Sequence, residues 1–210
     1  LSFYKFPFRG MENIERSHSR SMQEMFVLSA LDGKREGMFI DIGCGDPFHH
    51  NATAVLEKDF EWKGISIETS DINCYEFSRK RKSTVILSKA EEIDYNELFS
   101  KHCVEMNVDL LRITCDYASL HILKNIPFDS YRFSVVQFQH NHCWWMNEYR
   151  DVSRSIMRSH GYSLFVGNVS LRDGVAYEDW WIHPALVSPR EAMRTKEDKN
   201  NVWDYFMRKR

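Results

Sequence analysis

The chain has 210 residues, 43% of them hydrophobic and 14% aromatic, enough apolar mass to bury a sizeable core, most simply as one domain over residues 1–210. A formal net charge of −2 excludes any general attraction to nucleic acid or to an anionic membrane, so neither is an expected partner. No apolar run approaches the roughly 20 residues of a membrane span, and the start "LSFYKFPFRGMENIERSHSR" lacks the apolar stretch of a signal peptide, so the expectation is a soluble, cytoplasmic protein.

In chain order, residues 20–30 place Met22, Met25, Phe26 and Ser29 on one side of an amphipathic helix. A strand follows over Met38–Ile42, then a helix over Asn51–Phe60 with a capping Asn or Asp available before it, and a second strand over 64–68. "TVIL" at 84–87, a helix over 91–99, "VDLLRI" at 108–113, a helix near 117–125 and "FSVVQF" at 133–138 continue the alternation. One more helix ends at Gly161 before a strand over Tyr162–Val166. Parallel strands need crossovers and helices supply them, so the expected fold is α/β: a doubly wound, mostly parallel, Rossmann-like sheet. The tail from Pro189 reads as a terminal helix or a mobile extension. No methionine precedes Leu1, which points to a piece of a longer polypeptide.

Cys44, Cys74, Cys103, Cys115 and Cys143 are odd in number and form no Cys-x-x-Cys pair, against both a disulfide framework and a zinc knuckle. "RKRK" at 79–82 follows a helical stretch and reads as a solvated helix end rather than a nucleic-acid patch. Trp144, Trp145 and the tryptophans of "DWWIHP" fit a sugar-stacking surface and a core position equally well.

The chemistry gathers at "FIDIGCGDP", residues 39–47, where a strand runs into a turn with two glycines. In a doubly wound sheet such a turn borders the ligand crevice. Glu68, at the end of the second strand and 23 positions after Gly45 (68 − 45), stands near the spacing of about 20 expected of an acid that binds a ribose. The turn lacks a third glycine, and Asp46 would repel a pyrophosphate. A ribose-bearing cofactor without phosphate fits better. S-adenosyl-L-methionine is one, since its cationic end tolerates Asp41 and Asp46.

The stretch "GMFIDIGCGDPFHHNATAVLEKDFEWKGISIE" resembles the cofactor-binding half of the FkbM-type methyltransferase family, through Asp41, Gly43, Gly45, Asn51, Thr53, Leu56, Glu57, Trp62, Gly64 and Glu68. The likeness continues through "DLLRITCDYASLHILKNIPFDSYRFSVVQFQHN", "SHGYSLFVGNV" and "YEDWWIHP", covering roughly residues 19–187 and leaving 188–210 as an extension. It implies a seven-stranded class I methyltransferase fold, S-adenosyl-L-methionine as cofactor and a sugar hydroxyl of a glycan or glycoconjugate as acceptor. Related modules sit beside glycosyltransferase domains, which makes such domains possible partners. Where the relatives carry carboxylates, this chain has Thr114, Gln139 and Asn141, with Asp116 in place of a glutamate. Hard divalent metals prefer charged oxygen ligands, so no metal site is expected.

These readings give Asp41, Gly43, Gly45, Asp46, Glu68, Thr69, Ala90 and Thr114 as cofactor-binding residues. His140 is the expected general base, Asp116 its orienting partner, and His183 and His142 are reserves. A zinc site at His140, His142 and Cys143 lacks a fourth ligand at sensible spacing. A degenerate member that binds cofactor or glycan without catalysis is the competing reading, favoured by the lost carboxylates. A nucleic-acid methyltransferase lacks a basic surface signal.

Overall fold

The computed structural model describes residues 4–141, 147–170, 174–195 and 200–207. Its elements run α1 (Gln23–Ala30), β1 (Met38–Ile42), α2 (Thr53–Phe60), β2 (Lys63–Glu68), α3 (Asp71–Lys80), β3 (Thr84–Leu87) and α4 (Tyr95–Lys101), then β4 (Asn107–Ile113), α5 (Ser119–Asn125) and β5 (Arg132–Gln139). The second half adds α6 (Asn147–Ser159), β6 (Ser163–Ser170), β7 (Ala176–Ile182), β8 (Asn200–Asn201) and α7 (Val202–Phe206). Side chains set several boundaries. Ser70 caps α3 by accepting the Asn73 amide, and Asp94 caps α4 by accepting those of Asn96 and Glu97.

All the strands join one sheet in the order β3-β2-β1-β4-β5-β7-β6-β8. The first five strands of the chain pair in parallel, and β7 runs antiparallel between β5 and β6. The expected seven strands are present, with the two-residue β8 added at the edge. Alternation along each strand divides the core. Phe39, Leu110 and Val135 lie in register on one face with Trp180 and Phe26, while Ile40, Leu111 and Val136 lie on the other with Phe99 and Trp181.

Helix α1 departs from the amphipathic expectation: apart from Ser29, its residues are all buried, Gln23 and Glu24 included. The reason lies far away in sequence. Tyr4, Phe6 and Phe8 pack on the same core as α1, joined there by Phe206 of α7. The Lys5 amide donates to the Phe206 carbonyl at 2.8 Å, tying the two ends of the described chain together. The tail supplies a terminal helix, one of its two expected forms, and α7 buries Val202 and Phe206 in the core. Trp180 and Trp181 of "DWWIHP" are fully buried, which settles them as core residues and not a sugar platform.

Beneath β1 runs a buried polar chain. Arg112 of β4 donates to Asp41 Oδ1 at 2.7 Å, and Thr53 Oγ1 lies 3.2 Å from Asp41 Oδ2. Arg81 donates to Thr53 Oγ1 at 3.1 Å and to Glu57 Oε1 at 3.0 Å. Glu57 also accepts the amides of Lys82 and Ser83 and the Ser83 hydroxyl. In "RKRK", Arg79, Lys80 and Lys82 are solvated as expected, whereas Arg81 is buried in this network. No helix among the described residues is long and apolar enough to cross a membrane.

Removing one partner of a buried ion pair leaves the other charged and undersolvated. Arg81→Ala should therefore lower the unfolding free energy by about 3–5 kcal/mol, against less than about 0.5 kcal/mol for the exposed Arg79→Ala, both read from urea unfolding. Burial opposes ionisation of Glu57, but Ser83, the Lys82 amide and Arg81 hold its carboxyl below the ordinary 4.5. Its contribution should be complete above that pH and fade on acidification below it, and Glu57→Gln should flatten that part of the pH–stability curve.

Candidate functional site

Strand order reverses at β1, with β2 and β3 to one side and β4 and β5 to the other, so the loops that leave the carboxyl ends of β1 and β4 turn to opposite sides and leave a crevice above the paired strands. The glycine turn sits at its head. Gly43 has φ +81°, and a Cβ there would lie 2.4 Å from the Thr114 carbonyl oxygen and 2.8 Å from Cys115 Sγ. Gly45 has φ +67°, yet the space where its Cβ would stand is open. The first glycine lets two strands close on each other, and the second leaves bare backbone facing the crevice.

Side chains outside the turn fix its shape. Asn51 Nδ2 donates to the carbonyls of Cys44 and Asp46, each at 3.1 Å, and Arg81 donates to the Pro47 carbonyl at 2.7 Å. Glu68 Oε2 accepts the Gly45 amide at 2.7 Å, while Oε1 accepts those of Thr69 and Ser70 at 2.9 Å each. Asp46 Oδ1 accepts the amides of Phe48 and His49. Although burial opposes it, these two donors hold the Asp46 carboxyl below the usual range.

The crevice has two arms. One, of about 400 Å³, is lined by Glu68, Thr69, Ser88, Ala90 and Tyr117. The other, of about 410 Å³, is lined by Arg20, Gln23, Asp46, His49, His50, Arg112, Gln139 and Tyr177. Gly43, Gly45, Thr114 and Asp116 belong to both and mark the junction. There Asp116 Oδ1 accepts Gln139 Nε2 at 3.1 Å and Asn141 Nδ2 at 2.9 Å. Behind the second arm, Glu178 is wholly buried. Burial pushes its carboxyl up to about 7, only partly offset by Arg112 and by its bond from Gln23.

Seven of the eight expected cofactor residues line this crevice: Gly43, Gly45, Asp46, Glu68, Thr69, Ala90 and Thr114. Asp41 does not. Its carboxylate is fully buried beneath the turn and committed to Arg112 and Thr53, so it supports the crevice from beneath without lining it.

The histidines change most. His140 cannot serve as base: its side chain is fully buried, with Nε2 3.3 Å from Asp179 Oδ1. Side chains alternate along β5, so Gln139 and Asn141 meet Asp116 while His140 falls on the opposite face with Val136 and Phe138. Burial opposes ionisation of Asp179, yet Arg154 and His140 hold it well below the carboxylate range, which completes a structural ion cluster. His183 follows the antiparallel β7 and lies at the other end of the sheet. Its amide donates to the Ser134 carbonyl near the start of β5, and its ring packs on Tyr162. His142, Cys143, Trp144 and Trp145 lie outside the described residues.

Sequence reading missed Arg20, Gln23, His49, His50 and Tyr177. The histidine pair follows the glycine turn directly in "GCGDPFHH" and was legible there. Arg20 and Gln23 precede β1 and reach the crevice only because α1 packs on the sheet, which no local pattern announces.

No family model matches this sequence, and no curated protein matches it. Solved structures do match in fold. A putative rRNA-methylase from Clostridium thermocellum aligns with a TM-score of 0.55 at 8% identity, over 80% of this chain and 99% of that one. Human methyltransferase 10 domain containing protein gives 0.50 at 14%, over 77% and 80%. Aeropyrum pernix fibrillarin, solved with natively bound S-adenosyl-L-methionine, gives 0.50 at 13%, over 71% and 67%. The chain has the Rossmann-like fold of class I methyltransferases.

The two glycines should respond differently to a methyl group. Gly45→Ala meets open space and carries only the left-handed backbone penalty, about 1–2 kcal/mol. Gly43→Ala adds an overlap with the Thr114 carbonyl and should cost more, so chemical denaturation should rank Gly43→Ala below Gly45→Ala in stability.

Proposed function

We propose that the chain is an S-adenosyl-L-methionine-dependent O-methyltransferase acting on a sugar hydroxyl of a glycan or glycoconjugate. The observation that carries the cofactor half is the junction of two arms at Gly43 and Gly45, with Glu68 heading one of them. A drug-sized ligand needs a cleft of about 300–1,000 Å³, and each arm alone falls within that range. Glu68 Oε1 accepts the amides of Thr69 and Ser70 and the Thr69 hydroxyl, whereas Oε2 accepts only the Gly45 amide, so Oε2 keeps an acceptor position for a ribose hydroxyl. Thr69 and Ala90 flank the place of the adenosine, and Gly45 presents bare backbone to the sulfonium end.

The cofactor supplies an electrophilic methyl group. The chain must orient the acceptor hydroxyl and receive its proton. Asp116 stands at the junction with Oδ1 held by two amides, and no described residue donates to Oδ2. With the cofactor bound, the acceptor oxygen would take the methyl group as the sulfur–methyl bond breaks and the sulfur leaves as a neutral thioether. Asp116 Oδ2 would receive the hydroxyl proton, with Gln139 and Asn141 fixing the carboxylate plane. The sugar acceptor and an FkbM-type relationship rest on the sequence resemblance, and glycosyltransferase domains remain the partners it favours.

Amides stand in place of carboxylates around Asp116, and this favours a second reading, a module that binds cofactor or glycan without catalysis. Methyl transfer from labelled S-adenosyl-L-methionine to a glycan panel separates the two. The catalytic reading expects a labelled glycan, and Asp116→Asn should lower kcat by roughly 10²-fold with cofactor affinity nearly unchanged. Tight cofactor binding with no methylated glycan would point to the binding module, and an Asp116→Asn enzyme of parental rate would remove Asp116 from the chemistry.

A further inference from the structure

Another hollow lies outside the crevice, between α2, the segment after α3 and the chain that leads into α1. It measures about 520 Å³, more than either arm, and Phe48 and His18 form one wall. His18 Nδ1 donates to the Phe48 carbonyl at 3.1 Å, which fixes that wall. Five cationic side chains line the hollow, Arg16, Lys58, Lys80, Arg81 and Lys82, against the carboxylates of Glu15, Glu57 and Asp59. Arg81 is spent on Glu57, and Lys80 pairs with Glu76 outside the hollow. Arg16, Lys58 and Lys82 come from three different segments and are exposed, and their side chains make no ion pair or hydrogen bond among the described residues. They outnumber Glu15 and Asp59, so the hollow keeps a net positive charge in a chain whose overall charge is −2.

Shared walls join this hollow to the crevice. Arg16, His18 and Phe48 also line a middle hollow of about 320 Å³, whose other side is formed by Asp46, His49 and His50, and these three line the second arm as well. The middle hollow does not suit an anion. Its Asp46 carboxyl, opposed by burial, is held below the usual range by the amides of His49 and Phe48, and burial, Arg20 and His49 hold His50 below its ordinary value. The far hollow and the arm share no residue, so a ligand that reaches both must cross the middle one. We propose that the far hollow binds a phosphoryl group carried by the acceptor, with Arg16, Lys58 and Lys82 as its donors and the phosphate-bearing sugar lying against Phe48. Three cations from three segments match the three terminal oxygens of a phosphate monoester better than the two coplanar oxygens of a carboxylate. The link to the crevice rests on the methyltransferase reading above, and it narrows the acceptor to a phosphorylated oligosaccharide methylated on a sugar remote from the phosphate. A nucleic-acid backbone fits less well, because the free cations gather in one hollow rather than along a stripe.

Binding is measured first without cofactor, so it stands apart from methyl transfer. Calorimetric titration with inorganic phosphate should give saturable binding with a Kd of about 1 mM or lower. Arg16→Gln, Lys58→Gln and Lys82→Gln should each weaken it about three- to fivefold, whereas Lys124→Gln on α5 should leave it unchanged. All four residues are exposed, and parental unfolding midpoints will show that the variants fold. Absence of saturable binding, or an equal loss in Lys124→Gln, overturns the phosphoryl site. With labelled S-adenosyl-L-methionine, phosphate-bearing glycans should then show a lower KM than their dephosphorylated forms, and Lys58→Gln should raise that KM toward the dephosphorylated value. Equal KM values for the two forms overturn the link to the crevice. A labelled RNA in place of a labelled glycan, lost with Lys58→Gln, would give the hollow to a nucleic-acid backbone and overturn the sugar assignment. Methylation of neither overturns the methyltransferase reading and the link with it, while saturable phosphate binding lost in the three variants still upholds the phosphoryl site.

Discussion

A single buried run of polar contacts, Arg112–Asp41–Thr53–Arg81–Glu57, holds together the parts that frame the crevice. It joins β4 to β1, β1 to α2, and α2 to the segment before β3. Each member is nearly cut off from water, so each charge is tolerable only while its partner stays in place. Two members also reach the glycine turn: Arg81 bonds the Pro47 carbonyl, and Thr53 shares Asn51, which bonds the carbonyls of Cys44 and Asp46. The turn is therefore shaped from below by Arg81, Thr53 and Asn51, none of which lines the crevice, and Asp41 belongs with these.

Glu68 has a double part. Three backbone amides converge on its carboxylate, one from the glycine turn and two from the start of α3. The same group faces the crevice. Under the proposed cofactor reading, turn geometry and ligand recognition share one side chain, and a ligand hydroxyl reaching Glu68 would rigidify the turn. Asp116 is held in a similar way by Gln139 and Asn141, so both of these carboxylates are oriented before anything binds.

Much of the fold was legible in the sequence, because β1 to β5 are short apolar runs broken by turn residues, and Glu68 follows the glycines at a telling distance. What failed was either parity or long range. The strand pattern over 133–138 leaves His140 just beyond the strand; β5 runs on to Gln139, and His140, two residues after Phe138, keeps the face of Phe138 and Val136 and so points into the core. His183 required the direction of β7, which depends on pairing with β5 across the sheet and leaves no trace in local pattern. The tail required Tyr4 and Phe6, nearly the whole chain away, to show that Phe206 is core. Arg20 and Gln23 belong to the same class, carried to the crevice by the packing of α1.

The central claim is that the crevice at the head of β1 and β2 holds the adenosine of S-adenosyl-L-methionine against Glu68. Amide chemical shifts of the nitrogen-15-labelled protein during titration with S-adenosylhomocysteine test it residue by residue. The account predicts saturable shifts at Gly45, Thr69, Ser70 and Ala90, with little change at His183 and Ser134 at the opposite end of the strands. Saturable shifts elsewhere that leave Gly45 and Thr69 unmoved would contradict it.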